Sequence, residues 1–316
     1  MSEPNLPLLS SDLKVKTAWL YYVEGMTQEQ IADMLNVSRV KVMRTLASCI
    51  SEGVVVTKIN AATARQVALE RALEKRWKLD SAIVVPSPAS GENLESRIGH
   101  AVAGFLDQTM QDGMTLAVGG GATLYSSLGF LQRRPLHGAL VVSLVGSLPH
   151  SRWINPSVVA TRIAEVYDVE SYQMPAPVIV DDPALRDALW RQAEFRDLRQ
   201  RAERADIAIL TVGDMTESAT IFRHGIVPPD LIGPLRQAGA VANILCCFID
   251  GEGRLVDHEI NRRVMAIGLD SISRIRRIVL AAGGDAKVAA IRAALAVVPA
   301  SVLITDAQTA EQLLAD

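Results

Sequence analysis

Three glycine-containing segments of the sequence could bind an anion through backbone N–H groups. They read VGGGATL at 118–124, VGDMT at 212–216 and AGGDAK at 282–287, and each follows an apolar stretch typical of a buried strand. A glycine turn that opens a helix presents unpaired N–H groups to a phosphate, and Lys287 adds a point charge. Each segment alone is a weak signal, because glycine after a parallel strand often only permits a tight turn. None has the GxGxxG or GxxxxGK[ST] spacing of a nucleotide site.

A parallel sheet would bring these segments together. From residue 81 onward, apolar runs alternate with glycine turns and amphipathic segments, which predicts a mostly parallel sheet flanked by helices. The carboxyl ends of such strands lie at one edge, so the segments are expected to share one crevice and one anionic ligand. The residues predicted to line it are Gly119, Gly120, Gly121, Thr123, Gly213, Asp214, Gly283, Gly284 and Lys287.

A further set of polar residues lies in FIDGEGRLVDHEINRR, residues 248–263. Asp250, His258, Asn261 and Arg263 fall on expected loops, where they could bond the hydroxyls or the phosphate of a ligand. A lone histidine such as His258 is more often a surface residue than a general base.

The segment GMTQEQIADMLNVSRVKVMRTL, residues 25–46, predicts two helices joined by a tight corner. Asp12 is expected to cap a preceding helix that stops at Gly25. Thr27 caps the second helix and Asn36 ends it. The apolar stripe of the first helix is Leu13, Val15, Ala18, Trp19, Tyr22 and Val23, and the inner face of the second is Ile31, Ala32 and Leu35.

The third helix, RVKVMRTLASCIS, is predicted to start after Ser38 and to expose cations. Its core positions are expected to be Val42, Leu46, Cys49 and Ile50. Three cations precede the first acid at Glu52, so its outer face suits phosphates and guanine edges in a major groove. This pattern is a helix-turn-helix, although amphipathic helix pairs also occur in interaction domains. The residues predicted to contact DNA are Thr27, Gln28, Ser38, Arg39, Lys41, Arg44 and Thr45.

The segments that follow predict a wing and a linker. EGVVVTKIN, residues 52–60, has the alternation of a short β element, as in a winged helix. Residues 61–79 are rich in helix formers, and Leu69, Leu73 and Trp77 make a stripe. That stripe could serve packing within the chain or a dimer contact. The predicted domains are 1–59, 60–80 as a linker helix, and 81–316.

Composition narrows the class of protein. The 316 residues are 49% hydrophobic with a net charge of -3, which suits two folded domains and excludes bulk coating of nucleic acid. No run of 18 apolar residues and no signal-peptide pattern occurs, so a soluble cytoplasmic protein without membrane partners is expected. Cys49, Cys246 and Cys247 are expected to be buried reduced thiols, and no metal-binding cluster or cofactor motif is present.

Five segments in this order resemble the SorC family of bacterial transcriptional regulators, also called the DeoR-like sugar-binding family. They are TQEQIADMLNVSR, GGGATL, FIDGEG with DHEINRR, AGGDAK and VLITDAQTAEQLL. The resemblance implies an N-terminal all-α winged helix-turn-helix and a C-terminal α/β Rossmann-like effector domain with a sugar-phosphate isomerase-like fold. It also implies operator DNA and a phosphorylated sugar or polyol as partners, self-association as a dimer or tetramer, and a role as repressor of a catabolic operon. The family's phosphate loop falls on Gly120, Gly121, Ala122 and Thr123, and its other site positions fall on Asp250, Asn261, Gly283, Gly284 and Lys287.

The chain also departs from that family. The first glycine loop reads GGGAT where an aromatic or polar residue and Arg or Ser are common, and Ala242-Asn243 replaces a frequent Gly-Asp. Fewer charged anchors indicate a smaller or less phosphorylated effector. The opening AWLYYVEGMTQEQIA and the alanine-rich helices are similar to the polyol type, including erythritol-operon repressors.

Two other functions compete with the regulator hypothesis. The large domain resembles sugar-phosphate isomerases and acyl-transferases, but no acid and base pair can be assigned, since Asp250 and His258 lie eight residues apart on an expected loop. A protein-docking adaptor would need an exposed apolar stripe, whereas the exposed face of the third helix is cationic. The sequence therefore favours a regulator without catalytic residues.

Overall fold

The chain folds into two compact units that separate between residues 63 and 64. The computed structural model describes residues 10–55, 61–88, 93–149 and 154–315, and the side chains of 10–12 and 61–63 are not described. The expected wing at 52–60 therefore lies largely outside the described residues.

Residues 10–55 of the first unit form helices α1 (Ser10–Tyr22), α2 (Gln28–Leu35) and α3 (Arg39–Ser51). Thr27 and Gln30 form a capping box at the start of α2. Asn36 then reverses the chain in the left-handed region, at φ 53°. The Ser38 side chain accepts a hydrogen bond from the Lys41 N–H and starts α3. The core consists of Leu20, Ile31, Ala32, Val42 and Leu46.

Two details of this unit differ from the sequence prediction. Helix α1 begins at Ser10, so Asp12 lies within its first turn and is not its cap. Ile50 is 54% exposed, although it was expected in the core. Val42, Leu46 and Cys49 already form the buried i, i+4, i+7 stripe, and Ile50 is turned about 100° away from Cys49.

The apolar stripe predicted on α1 is only partly buried. Thr17, Ala18 and Leu20 are buried, whereas Val15 and Trp19 are each 56% exposed. The helix therefore packs through the face that carries Thr17 and Leu20, and it leaves a second apolar face uncovered within the single chain.

The second unit is built on two sheets. The strands are β1 (Ser81–Val85), β2 (Thr115–Val118), β3 (Leu140–Ser143), β4 (Glu170–Tyr172), β5 (Ile207–Leu210), β6 (Val212–Gly213), β7 (Ala242–Ile244), β8 (Cys247–Ile249), β9 (Arg277–Ala281) and β10 (Val302–Asp306). Seven of them form a parallel sheet in the order β1-β10-β9-β5-β2-β3-β4. Strands β6, β7 and β8 form a small antiparallel sheet. The mostly parallel α/β architecture is confirmed.

Helices pack against both faces and one edge of the large sheet and around the small sheet. They are α4 (Ala61–Trp77), α5 (Leu94–Thr109), α6 (Ala122–Ser127), α7 (Pro156–Tyr167), α8 (Pro183–Trp190), α9 (Ala193–Glu203), α10 (Thr220–Arg223), α11 (Ile232–Gln237), α12 (Leu269–Ile272), α13 (Val288–Val297) and α14 (Ala307–Leu314). Successive residues of β5 alternate between two core clusters, since Ala208 and Leu210 belong to one and Ile207 and Ile209 to the other. Among the described helices, none has the length and apolar character that crossing a lipid bilayer requires.

Helix α4 covers the open edge of the large sheet. Strand β1 is at that edge. Within the described chain, its outward N–H groups have no neighbouring strand to bond, and they donate instead to carboxylates of α4. Glu74 accepts from the Ala82 N–H at 3.1 Å, and Glu70 accepts from the Val84 N–H at 3.0 Å. Leu73 is fully buried in the core of the same chain. The α4 stripe therefore packs within the chain.

The strand order places three loops side by side. Strands β9, β5 and β2 are neighbours, with Leu210 opposite Leu280 and Val118 opposite Ile209. Because all three are parallel, the segments that follow Val118, Leu210 and Ala281 leave the sheet at the same edge.

Candidate functional site

A pocket lies at this edge, where the loops after β2, β5 and β9 meet. It encloses about 770 Å³ of empty space, which includes space open to solvent. Most of the predicted ligand residues line it, namely Gly120, Gly121, Ala122, Thr123, Gly213, Asp214 and Lys287. Most of the remaining lining residues are apolar, such as Val145, Leu148 and Ile226.

The glycine turn after β2 brings backbone to the pocket surface. Thr211 donates a hydrogen bond from Oγ1 to the Gly120 carbonyl oxygen at 2.8 Å, which ties the loops after β2 and β5 together. Gly121 has φ 113°, a conformation that residues with a side chain rarely adopt. A Cβ atom on Gly120 would stand 2.7 Å from Cγ of Pro156. Gly121 is therefore required by its backbone conformation, and Gly120 is required by the close approach of Pro156.

Helices that start at the pocket lack side-chain caps. The N-cap residues Gly121 of α6 and Ala219 of α10 line the pocket, and neither makes a side-chain cap bond. By contrast, Asn155 at the start of α7 accepts from the Ser157 N–H. The first N–H groups of α6 and α10 are thus available to a ligand. Because these helices are short, an anion would be bound mainly by hydrogen bonds from the N–H groups and only weakly by a helix dipole.

The charged groups of the pocket are few and of opposite sign. Lys287 and Asp214 are the only charged side chains among the described residues that line it. Within the described chain Lys287 forms no ion pair. Asp214 is 7% exposed, and its Oδ1 accepts from the Thr216 N–H at 2.8 Å. One cation and one carboxylate suit a ligand with one anionic end and hydroxyl groups elsewhere.

The hairpin between β7 and β8 forms a wall that the sequence analysis missed. Leu245 and Cys246 line the pocket and both have left-handed backbone, with φ 51° and 64°. Two-residue hairpin turns of this kind favour Asn-Gly, so Leu-Cys carries backbone strain next to the site. Asn243 also lines the pocket, and its buried Nδ2 has no protein partner. The sequence signal that could have identified Asn243 is its polar side chain within the apolar run VANIL, residues 241–245.

The two adjacent thiols, Cys246 and Cys247, have low reactivity near neutral pH. Burial raises the pKa of Cys246 to about 12, with a smaller contribution from Cys247. Burial likewise raises the pKa of Cys247 to about 11. Thiolates are the reactive form, so neither cysteine is suited to nucleophilic or redox chemistry near neutral pH. The described residues contain no group of three or more metal-ligating side chains.

Two predicted ligand residues lie away from the pocket, and this corrects their assignment. Asp250 accepts from the Arg254 N–H and Nε, both at 2.9 Å, so it closes its own turn. Bonding by the Arg254 backbone N–H, with further bonds in this turn, lowers the pKa of Asp250. Asn261 accepts from the Phe248 N–H at 2.8 Å and donates to the carbonyl oxygens of Phe248 and Val256. Both side chains are thus occupied in building a loop.

The other predicted residues also lie outside the pocket lining. Gly119 donates its N–H to the Ile209 carbonyl oxygen at 3.0 Å, and it is not part of the pocket lining. Gly283 and Gly284 precede Lys287 in the third loop and also lie outside the lining. His258 caps a short helix, because its Nδ1 accepts from the Ile260 N–H at 3.2 Å.

Helix α3 presents the predicted cationic surface. Arg39, Lys41 and Arg44 are all exposed, while Val42 and Leu46 are buried on the opposite side. Within the described residues, none of these three cations forms an ion pair. The start of α3 therefore offers three uncompensated positive charges to an external anion.

Comparison with known proteins places this architecture among regulators. The profile of a family described as "Putative sugar-binding domain" matches residues 62–315. A "Deoxyribonucleoside regulator" of Bacillus subtilis is 30% identical over 306 residues, covering 96% of this chain and 97% of that protein. The "Erythritol catabolism regulatory protein EryD" of Brucella abortus is 29% identical and covers 96% of each chain. The full-length sorbitol operon regulator SorC from Klebsiella pneumoniae has the same fold, with a TM-score of 0.73 at 24% identity, over 96% of this chain and 98% of that one.

Proposed function

The chain belongs to the SorC/DeoR-type family of transcriptional regulators that carry a sugar-binding domain, and on this premise we propose that a phosphorylated sugar or polyol controls its binding to operator DNA. The observation that carries the proposal is the pocket in which Lys287, unpaired within the described chain, meets the glycine turn after β2. The family is one of regulators and not of enzymes.

The DNA contacts are assigned to the first unit. In this proposal residues 1–59 form a winged helix-turn-helix, and α3 enters the major groove with Arg39, Lys41 and Arg44 toward the DNA. Ser38 and Thr45 flank these cations, and Thr27 and Gln28 at the start of α2 contact the phosphate backbone. The support is the exposed cationic start of α3 and the capped corner before it.

The effector is assigned to the proposed effector domain, residues 81–316, which lies within the second unit and is preceded by the proposed linker helix, residues 60–80. Its anion binds Lys287 and the N–H groups of the turn from Gly120 to Thr123, and its hydroxyls bind Asp214 and Asn243. The orphan Nδ2 of Asn243 supports this orientation, because an unpaired buried donor costs free energy that a ligand oxygen recovers. Because the other pocket walls are mostly apolar, the effector is proposed to carry charge at one end only.

Self-association and place of action complete the proposal. A two-fold symmetric operator needs two reading helices, so the chain is proposed to act as a homodimer or tetramer in the cytoplasm, where the DNA is, and as a repressor. Relatives named for deoxyribonucleosides and for erythritol are about equally similar to this chain, so the effector class is not narrowed to erythritol.

A thermal-shift panel tests the effector assignment. Sugar and polyol phosphates are compared with the same compounds lacking phosphate, using the full chain. A true effector at 100 times its Kd adds about 2.7 kcal/mol to the free energy of unfolding. Only phosphorylated members should raise Tm strongly. Equal responses to both members of each pair would place the anion elsewhere and favour an unphosphorylated effector.

A further inference from the structure

Polar contacts fasten the loop that carries Lys287 to the end of β10 and to α14. Asp306, the last residue of β10, is 2% exposed and caps α14. Its Oδ2 accepts from the Gly284 N–H at 3.1 Å, and the same N–H lies 2.7 Å from Oγ1 of Thr309. The end of β10 thus binds the chain three residues before Lys287.

Packing leaves this loop little freedom at the same point. A Cβ atom on Gly283 would stand 2.5 Å from Oδ2 of Asp306, so the backbone lies directly on the carboxylate. Ser87, after β1, donates to Oδ1 of Asp306 at 2.9 Å. Lys287 in turn donates its backbone N–H to the Gly284 carbonyl oxygen at 2.9 Å. The position of Lys287 therefore follows from the position of Gly284.

Two glutamines of α14 hold the acid nearest to Lys287 in the sequence. Gln312 donates from Nε2 to Oδ1 of Asp285 at 2.9 Å, and Gln308 donates to Oδ2 at 3.0 Å. Both carboxylate oxygens of Asp285 are therefore engaged by α14. Asp285 is two residues from Lys287 and does not line the pocket, whereas Lys287 does.

From these contacts we infer that α14 positions the anion site of the pocket, with Asp306 fixing the loop and Gln308 and Gln312 keeping Asp285 away from Lys287. These are positioning residues that act through Lys287. The inference rests on the proposed function for the identity of the ligand, but the positions themselves do not depend on it. Releasing Asp285 would give Lys287 an internal partner that competes with a ligand anion.

The first test measures the loop without any ligand. Hydrogen exchange of the segment 283–288 is compared between the wild-type chain and the variants Gln308→Leu/Gln312→Leu and Asp306→Asn. In the Asp306→Asn variant the amide nitrogen faces an N–H donor in either orientation, so the new side chain cannot replace the carboxylate. Faster exchange in this segment in both variants, accompanied in Asp306→Asn by the start of α14 that Asp306 caps, supports the inference. Unchanged exchange in both variants overturns it.

The second test uses inorganic phosphate as the probe in thermal-shift titrations of the full chain. The Gln308→Leu/Gln312→Leu variant should bind phosphate about two- to fivefold more weakly, the worth of an exposed ion pair. Adding Asp285→Asn to that variant should restore binding, because the competing charge is gone. Glutamines on other helices, Gln200→Leu and Gln237→Leu, serve as matched controls and should leave the titration unchanged.

The rescue separates a positioning role from general destabilisation. If Asp285→Asn does not restore phosphate affinity in the double-leucine variant, the sequestration of Asp285 is refuted. If the loop exchange rises as expected while the wild-type chain shows no phosphate response, the positioning by α14 is supported and the proposed anionic effector is contradicted. The outcomes for the two proposals are therefore distinct.

Discussion

Among the side chains of α3, Arg44 gives the most specific prediction about operator affinity and base selectivity. It is exposed one turn into the helix and has no ion-pair partner within the described residues. If its guanidinium reads a guanine, Arg44→Ala should cost about 1–3 kcal/mol of operator binding and relax selectivity at one base position. Fluorescence anisotropy with a panel of single-base operator variants measures both effects.

A matched control separates base reading from bulk charge. Lys14 is a cation of the same unit, paired to Glu52 at 2.7 Å, and Lys14→Ala should leave the base preference unchanged. Full operator affinity in the combined Arg39→Ala, Lys41→Ala and Arg44→Ala variant would reject the assignment of α3.

The two adjacent thiols, Cys246 and Cys247, predict how stability depends on pH. Their pKa values are about 12 and 11 in the folded chain, against 9.0 for an ordinary thiol. Above pH 9 the unfolded chain loses these protons while the folded chain keeps them, so stability falls as the pH rises. Each thiol should contribute about 1 kcal/mol of this loss at pH 10.

Thermal unfolding of the Cys246→Ala/Cys247→Ala variant at pH 8 and pH 10 measures the effect. The variant should lose less Tm over this interval than the wild-type chain. Identical losses would show that the thiols do not govern the pH dependence.

At the residue scale, the sequence predicted the backbone and charge features of the pocket better than its polar side chains. Gly120, Gly121, Gly213 and Lys287 line the pocket as predicted, because glycine after a strand and a cation on the following turn are local signals, whereas Gly119, Gly283 and Gly284 lie outside its lining. Asp250 and Asn261 were assigned wrongly, because a polar residue on a loop can equally bond its own turn. Only the folded geometry distinguishes these two cases.

Among the elements, α4 has a role that its sequence did not reveal. Its carboxylates Glu70 and Glu74 accept the edge N–H groups of β1, as a neighbouring strand would. Replacing both with alanine leaves the Val84 and Ala82 N–H groups without these partners. The free energy of unfolding should fall by about 1–3 kcal/mol per lost bond, measured by urea denaturation.

Two comparison variants make this prediction specific. Glutamine at both positions keeps an acceptor oxygen and should cost less than alanine. Glu165→Ala removes an exposed helix carboxylate that is paired with Arg162, and it should change stability by about 0.5 kcal/mol or less. A loss no larger than that of Glu165→Ala would refute the edge-capping role.

The existence of the elements was largely predictable, and their arrangement was not. The apolar runs that became β2, β5 and β9 and the caps Thr27 and Ser38 were read from local pattern. The order that makes β5 the neighbour of β2 and β9 depends on crossovers over long stretches of chain. The strained turn at Leu245 and Cys246 has no turn-forming residues, so no local rule predicts it.

The whole molecule is expected to self-associate. Half-sites one helical turn apart require two reading helices about 34–36 Å apart. Light scattering of the full chain should therefore give a mass at least twice the 34.1 kDa of one chain. A monomeric mass both with and without DNA would contradict this part of the proposal.

An effector bound in the pocket is expected to change the affinity of the chain for its operator. An operator selected from random DNA is titrated with the full chain, with and without the phosphorylated compound that gives the largest thermal shift, for the wild type and Lys287→Glu. The account predicts that the compound changes the operator Kd of the wild type. The variant should bind the same operator without responding, since a like charge beside the phosphate opposes its binding. An operator Kd that the compound leaves unchanged in the wild type, or an equal response in the variant, would contradict the account.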